Sequence, residues 1–255
     1  MITWIKKSLF NLIGLKLYLK ILHKSFYFYY NYGFLKSNSI YKYHYFVKKI
    51  IGQGDVVIDI GANLGYYTKN FSKWVGEKGH VYSVEPVKPF YETLLWAMKG
   101  YKNVTLYNYA LGKESQDIEL VLPKYGGLFR SGLAHIPQNE EVAEDSYRFQ
   151  AKMTHPEQLF GKLEVLHYIK CDIEGFESIV IPLMKPILEK HKPLLQIETG
   201  GHHKEIVDKV MLDLDYVEYT LKNQTLVKVE ENTILEGDCL YIPKEKIALV
   251  LNKIA

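Results

Sequence analysis

Three acids that each close a short apolar run are the residues of this chain best placed to do chemistry. They are Glu85 after the run at 81–84, Asp172 after the run at 166–171 and Glu198 after the run at 193–197. Such runs suit strands buried on both faces of a parallel sheet. Ligands of open parallel sheets gather at the carboxyl ends of the strands, so one cleft would collect all three carboxylates. A fourth run, Val56-Val57-Ile58-Asp59-Ile60, passes directly into Gly61-Ala62-Asn63-Leu64-Gly65. Gly61 and Gly65 let the backbone turn sharply and lie against a ligand, and a helix opening near Tyr66 points free N–H groups into the same space. Glu85 stands 20 residues after Gly65, near the spacing at which an acid accepts hydrogen bonds from ribose hydroxyls. The competing role for these acids is to cap the helix that follows, which Pro86 disfavours for Glu85.

The loop itself narrows the cofactor. A dinucleotide site reads G-x-G-x-x-G, with its middle glycine close to a pyrophosphate; here Asn63 holds that place. Asp59, two residues before Gly61, would repel a pyrophosphate and suits a cationic amine. S-adenosylmethionine carries such an amine and no phosphate.

The elements that must position these groups alternate between strand and helix signals, the pattern of an α/β domain. Strands are expected at 56–60, 81–84, 104–109, 166–171, 193–197, 216–221 and 239–242. Helices are expected at about 66–75, 89–98, 176–188 and 204–214, with a short helical turn at 156–160. Between them, 117–122 and 149–153 read as additional strands. The stretch 123–146, with Gly126, Gly127, Phe129 and Arg130, is a long loop of the kind that contacts acceptors or is merely mobile.

With 255 residues and 47% hydrophobic content, the chain can bury one large core. Residues 51–255 form that domain, preceded by a basic, aromatic helical segment at 1–50. Residues 1–54 hold nine lysines and no acid, which leaves 23 basic against 29 acidic residues in the remainder. Aromatic residues crowd the same stretch, among them Phe26 to Tyr30, Tyr32 and Phe34. This mixture suits an anionic membrane surface contacted through residues 1–49. The plainer alternative is a helix over 1–24 that packs its Leu/Ile stripe on the domain and leaves its lysines solvated. Eleven uncharged residues, 25–35, are too few to cross a bilayer, which takes about 20. Lys16 and Lys20 interrupt any secretory leader. Cys171 and Cys239 lie in apolar runs without metal-ligand or disulfide spacing and read as buried thiols. The expected location is cytoplasmic, with peripheral attachment to the inner membrane face as its extension.

Val57-Ile58-Asp59-Ile60-Gly61-Ala62-Asn63-Leu64-Gly65-Tyr66-Tyr67-Thr68 resembles the first motif of the FkbM-type methyltransferases, S-adenosylmethionine-dependent enzymes of the seven-stranded class I fold. Val84-Glu85-Pro86, Asn108-Tyr109-Ala110-Leu111-Gly112 and Ile169-Lys170-Cys171-Asp172-Ile173-Glu174-Gly175-Phe176-Glu177 resemble the motifs that follow, as do Gln196-Ile197-Glu198 and Cys239-Leu240-Tyr241-Ile242-Pro243. The resemblance covers roughly residues 50–245. It implies a mostly parallel, Rossmann-like sheet with helices on both faces and S-adenosylmethionine as cofactor. Asp59, Gly61, Asn63 and Gly65 would surround the methionine portion, with Tyr67 of the same motif among the contacts. Glu85 would hold the ribose, Ala110 would border the adenine and Asp172 would sit beside the sulfonium. Where related proteins show a Thr-Leu-Asp-like stretch, this chain has Met153-Thr154-His155-Pro156-Glu157, a departure on the acceptor side.

Methyl transfer to a hydroxyl needs in-line alignment and proton removal. Glu174 is the first choice of base among the strand-end groups, with Glu198 and His202 next and Asp172 and His203 also at hand. No metal set is expected, although Asp172, Glu174 and Glu198 are of the type that holds Mg²⁺. The expected activity is O-methylation of a sugar hydroxyl on a surface glycan or glycolipid. A nicotinamide-dependent oxidoreductase and a non-enzymatic membrane-docked adaptor are the alternatives. Nucleic acid is a less favoured acceptor, because no Asn-Pro-Pro-Tyr-like tetrad stands at Asp172.

Overall fold

The computed structural model describes residues 2–125, 128–129, 134–135, 146–230 and 237–254. Gly126, Gly127 and Arg130 of the long loop lie outside them. Helix α1 (Ile2–Asn31), broken at Gly14, and the short α2 (Lys42–Phe46) precede the alternating region. Strand β1 (Val56–Ile60), helix α3 (Thr68–Val75), strand β2 (His80–Val84), helix α4 (Lys88–Ala97) and strand β3 (Val104–Tyr107) follow. Next come β4 (Ala110–Leu111), β5 (Gln116–Tyr125), β6 (Leu128–Phe129), β7 (Ser146–Thr154) and α5 (Pro156–Phe160). The chain continues through β8 (Tyr168–Cys171), α6 (Glu177–Leu183), α7 (Lys185–His191), β9 (Leu194–Thr199), α8 (Gly201–Asp213), β10 (Tyr216–Lys222), β11 (Thr225–Lys228), β12 (Gly237–Pro243) and α9 (Ile247–Ile254).

The main sheet has eight strands in the order β11-β10-β12-β9-β8-β1-β2-β3. From β9 to β3 every pairing is parallel, while β12 runs against both β9 and β10, and β11 against β10. The expected seven strands are all present, and β11 adds an edge hairpin to them. Strand order reverses between β1 and β8, so the crevice above their carboxyl ends is where a ligand belongs.

Alternation along the strands sends side chains to opposite faces. Ile58 and Ile60, with Ile169, Leu195 and Ile197, pack beneath α5 to α8. Val57 and its neighbours Val81, Tyr168 and Leu240 pack with Tyr43 and Phe46 of α2, Phe71 of α3 and Val250 of α9. Cys171 and Cys239 are buried, free thiols. The two additional strands prove longer than their apolar cores suggested. β5 and β7 form an antiparallel ribbon, with β6 and β4 at its edges, that stands apart from the main sheet.

Helix α1 rests on this ribbon and on α4. Tyr18 and Leu19 are buried in one cluster with Leu64, Phe90, Leu120 and Leu122. The helix also reaches the cofactor loop directly. His23 Nδ1 lies 2.7 Å from the Leu64 carbonyl oxygen, and Tyr27 donates its hydroxyl to the carbonyls of Gly65 and Tyr66. Burial lowers the His23 pKa to about 4, so its ring is neutral. Among the described residues no helix is long and apolar enough to cross a membrane.

Candidate active site

The ends of β1, β2 and β8, with β4, Ala134 and His135, line an open cleft. Gly61, Asn63, Glu85, Ala110, Asp172 and Glu174 all line it. The glycine loop enters the cleft because its backbone adopts conformations that few residues accept. Gly61 has φ +77°, and a Cβ there would overlap the carbonyl oxygen of Asp172 on the neighbouring strand. Asn63 is left-handed at φ 51°, a conformation asparagine tolerates better than most residues. Its side-chain oxygen accepts the Leu64 N–H.

Glu85 is 4% exposed. One carboxylate oxygen accepts the Asn63 N–H and the other the Val87 N–H, each at 2.8 Å. These bonds tie the ends of β1 and β2 together and leave further lone pairs for hydroxyl donors. Burial pushes the Glu85 pKa up to about 7, against the pull of the two backbone bonds. Asn108, within the third motif, donates its amide to the carbonyls of Glu85 and Pro86 and so fixes the strand end from the far side.

Three residues of the first motif support the loop without lining the cleft. Asp59 is fully buried, accepts the Thr68 hydroxyl at 2.6 Å and, among the described residues, has no partner for Oδ1. Burial raises its pKa. Gly65 packs against Leu94, where a Cβ would be only 2.7 Å from Cδ1. Tyr67 stacks its ring on His44 at 3.7 Å and accepts a hydrogen bond from Gln196, which also donates to Asp238. Beneath them lies Lys170, 3% exposed, its ammonium 2.9 Å from Asp172 and 5.0 Å from the Tyr67 ring centroid. Burial alone would lower the Lys170 pKa, but the carboxylates of Asp172 and Asp59 reverse the effect and raise it. Lys170 is therefore a fixed buried cation that holds Asp172, a role that its place within an apolar strand hid in the sequence.

The second wall is a turn. Glu174 is left-handed at φ 56° and Gly175 follows at φ 93°. Glu177, 1% exposed, accepts the N–H groups of Ile173 and Gly175 at 2.7 and 2.8 Å and locks this conformation. Sequence reasoning gave Glu177 no role, although an acid in the first turn of a helix is the signal for such a contact. The turn projects Glu174 into solvent at the cleft. Its side chain is exposed, but protein packed around the turn desolvates the carboxylate and, with the nearby charges of Asp172 and Glu177, pushes its pKa up to about 7.

Glu198 stands on β9, next to β8, and pairs in register with Asp238 of β12. It does not line the cleft. Its protein surroundings, together with Asp172 and Asp238, push its pKa up to about 8. His202 lies apart, 79% exposed and 3.2 Å from Glu205. His203 is the nearer histidine, bonded to Ser178 at 2.9 Å and facing Gly175. Among the described residues no group of three or more His, Cys, Asp or Glu side chains is arranged to hold a metal ion.

The cleft fits the expected cofactor by the chemistry of its lining. Its polar side chains are those of Asn63, Glu85, Tyr109, His135, Asp172 and Glu174, and none of the described lining residues is a lysine or arginine. A pyrophosphate would meet Glu85, Asp172 and Glu174 with no cation on the described lining to receive it, whereas a cationic, phosphate-free nucleoside meets a buried acid beside an apolar slot of Val87, Phe90 and Leu120. Sheet order and site together are those of the class I S-adenosylmethionine-dependent methyltransferase fold.

Comparison with known proteins gives the family. Residues 59–218 match the model of the methyltransferase FkbM domain, and the chain belongs to that family, whose methyl donor is S-adenosylmethionine. A protein-L-isoaspartate O-methyltransferase of Methanosarcina mazei is 41% identical over 58 residues, 22% of this chain and 24% of that protein. Among solved structures, methyltransferase FkbM from Methylobacillus flagellatus superposes with a TM-score of 0.48 at 17% identity, over 73% of this chain and 43% of that one. Aeropyrum pernix fibrillarin, solved with S-adenosylmethionine bound, gives a TM-score of 0.43 at 10% identity, over 75% of this chain and 67% of that one. The chain thus spans under half the length of the first two of these relatives. Family membership sets aside the nicotinamide reading.

Proposed function

We propose that the protein is an O-methyltransferase acting on a sugar hydroxyl of a glycan or glycolipid, with Glu174 as the base. The observation that carries this reading is the turn at Ile173 to Gly175, which holds an exposed carboxylate at the mouth of the donor cleft. A carboxylate with a pKa pushed up to about 7 is well matched to proton removal near neutral pH. The acidic character of the wall favours a neutral, hydroxyl-rich acceptor over a phosphorylated one.

Asn63, Glu85 and Ala110 bind the donor, and Asp172, steadied by Lys170, faces its reacting end. Bound there, S-adenosylmethionine supplies an electrophilic methyl on a sulfonium that departs as a neutral thioether. The acceptor oxygen forms its bond to the methyl carbon as the C–S bond breaks opposite it. Glu174 takes the hydroxyl proton, so charge and atoms balance. Positioning by the two walls supplies several kcal/mol of the barrier reduction.

The test is a transfer assay with methyl-labelled S-adenosylmethionine against lipid-linked and polymeric glycan fractions of the source cell. Label retained on the glycan through base treatment, as a methyl ether, supports the reading. Label that enters only nucleic acid, protein carboxyl groups or amines overturns it.

A further inference from the structure

Helix α1 has two faces with different business. Its inner face carries His23 and Tyr27, which hold the carbonyls of Leu64, Gly65 and Tyr66. At its C-terminal end the outer face exposes Phe28, Tyr29, Tyr32 and, just beyond, Phe34, each 49–71% accessible. These rings form one cluster, with centroids 4.8 Å apart for Phe28 and Tyr32, 5.9 Å for Tyr29 and Phe34 and 6.3 Å for Tyr32 and Phe34. Contiguous exposed aromatic surface of this kind marks an interaction site.

The same surface is basic. A shallow groove along the seam of α1 and α4 is walled by Lys24, Phe28, Tyr32, Lys69 and Trp96, so two rings of the cluster also line the groove. A second groove continues the seam past Lys16, Lys20 and Lys99. The ammonium groups of Lys20 and Lys24 stand 4.8 and 5.7 Å from the Trp96 ring centroid. Glu92 is the acid among these lining residues, and residues 1–54 contain none.

We propose that this face docks on the anionic leaflet of a membrane, with the aromatic cluster inserted at headgroup level and the seam lysines against lipid phosphates. Aromatic rings flanked by lysines are the chemistry that an interfacial, non-spanning attachment uses. A second copy of the chain fits poorly, because a two-fold contact would set like-charged lysines against one another. A single-stranded nucleic acid would use separate, open ring faces as stacking platforms, whereas these rings cover one another, Phe28 meeting Tyr29 edge-on at 88°. Docking is independent of which hydroxyl is methylated. It also places the helix that holds the cofactor loop at the lipid surface.

The experiment is co-sedimentation of the full chain with phosphatidylcholine vesicles made with and without phosphatidylglycerol. We expect partition onto the anionic vesicles, weakened by salt. We expect it to fall at least about tenfold in the pairs Phe28→Ser with Phe34→Ser and Lys20→Glu with Lys24→Glu. Unchanged thermal melting would show that both pairs fold. Four results would each overturn the proposal: no partition, equal partition onto neutral vesicles, variants that bind vesicles like the parent, or a vesicle-free dimer abolished by the same substitutions. A single-stranded oligonucleotide that outcompetes the vesicles, and whose own binding is lost in both pairs, would overturn it as well.

Discussion

The two walls of the cleft are built by different means. The donor wall is backbone and buried acid: the left-handed Gly61 and Asn63, the Glu85 carboxylate shared between two N–H groups, and Asn108 behind them. The wall proposed for the acceptor is a turn held by Glu177, with Glu174 exposed at the cleft. A wall made of backbone admits one conformation and hence one cofactor. One made of exposed side chains on a strained turn can be re-aimed, so acceptor choice is the property free to vary.

That contrast breaks first at Gly61. In Gly61→Ala, the left-handed backbone costs about 1–2 kcal/mol, and overlap with the Asp172 carbonyl adds to it. Thermal melting should show a large loss of stability and calorimetry no S-adenosylhomocysteine binding. A variant that melts and binds like the parent would mean that the donor wall is not rigid.

Glu85→Ala should come next. It strands the buried Val87 N–H, at about 1–3 kcal/mol, and the part-buried Asn63 N–H, and thermal stabilisation by S-adenosylhomocysteine should disappear. The pH dependence of the unliganded chain sharpens the point. Burial holds the folded-state pKa of Glu85 at about 7, above its ordinary 4.5. The folded chain therefore binds more protons between those values, and this contribution to stability is lost as pH rises through about 7. Chemical denaturation of Glu85→Gln across that range should show a flatter slope than the parent.

The acceptor wall should respond in rate rather than in stability. A base must be unprotonated, so kcat/KM should climb as pH rises through about 7, where desolvation by the surrounding turn and neighbouring charges hold Glu174. Glu174→Gln should lower kcat by about 10²–10⁴-fold and remove that limb, with little change in melting. His202→Ala should change neither, since the ring is exposed and, among the described residues, pairs with Glu205 alone. A reversed ranking of Glu174 and His202 would move the base to α8.

How much of this was legible depended on how local the cause was. Gly61, Asn63 and Glu85 belong to one strand-loop-helix-strand unit, whose turn chemistry and spacing are written in consecutive residues. Asp59 shows the limit of that reading. Its charge pointed correctly away from a pyrophosphate, but its side chain lies beneath the loop against Thr68, and the cleft's own lining of Glu85, Asp172 and Glu174 carries the argument. Tyr67, from the same motif, is likewise a support, stacked on His44. Lys170 and Glu177 act through contacts that pattern does not report: a cation inside an apolar strand, and an acid folded back onto a left-handed turn. The length of β5 was hidden because its apolar run, Ile118 to Leu122, is flanked by Gln116 and Asp117 on one side and Pro123 and Lys124 on the other, residue types that read as strand ends. The grip of α1 on the cofactor loop joins residues 38 to 41 positions apart, and no sequence period encodes it.

The central claim is that the donor wall accepts a cationic, phosphate-free nucleoside. Isothermal titration of the intact chain with S-adenosylhomocysteine and, separately, with NADH tests it directly. Saturable binding of the first, stronger than of S-adenosylhomocysteine to Glu85→Ala and with no heat from NADH, is the predicted result. NADH binding, or S-adenosylhomocysteine binding that Glu85→Ala leaves unchanged, would contradict it.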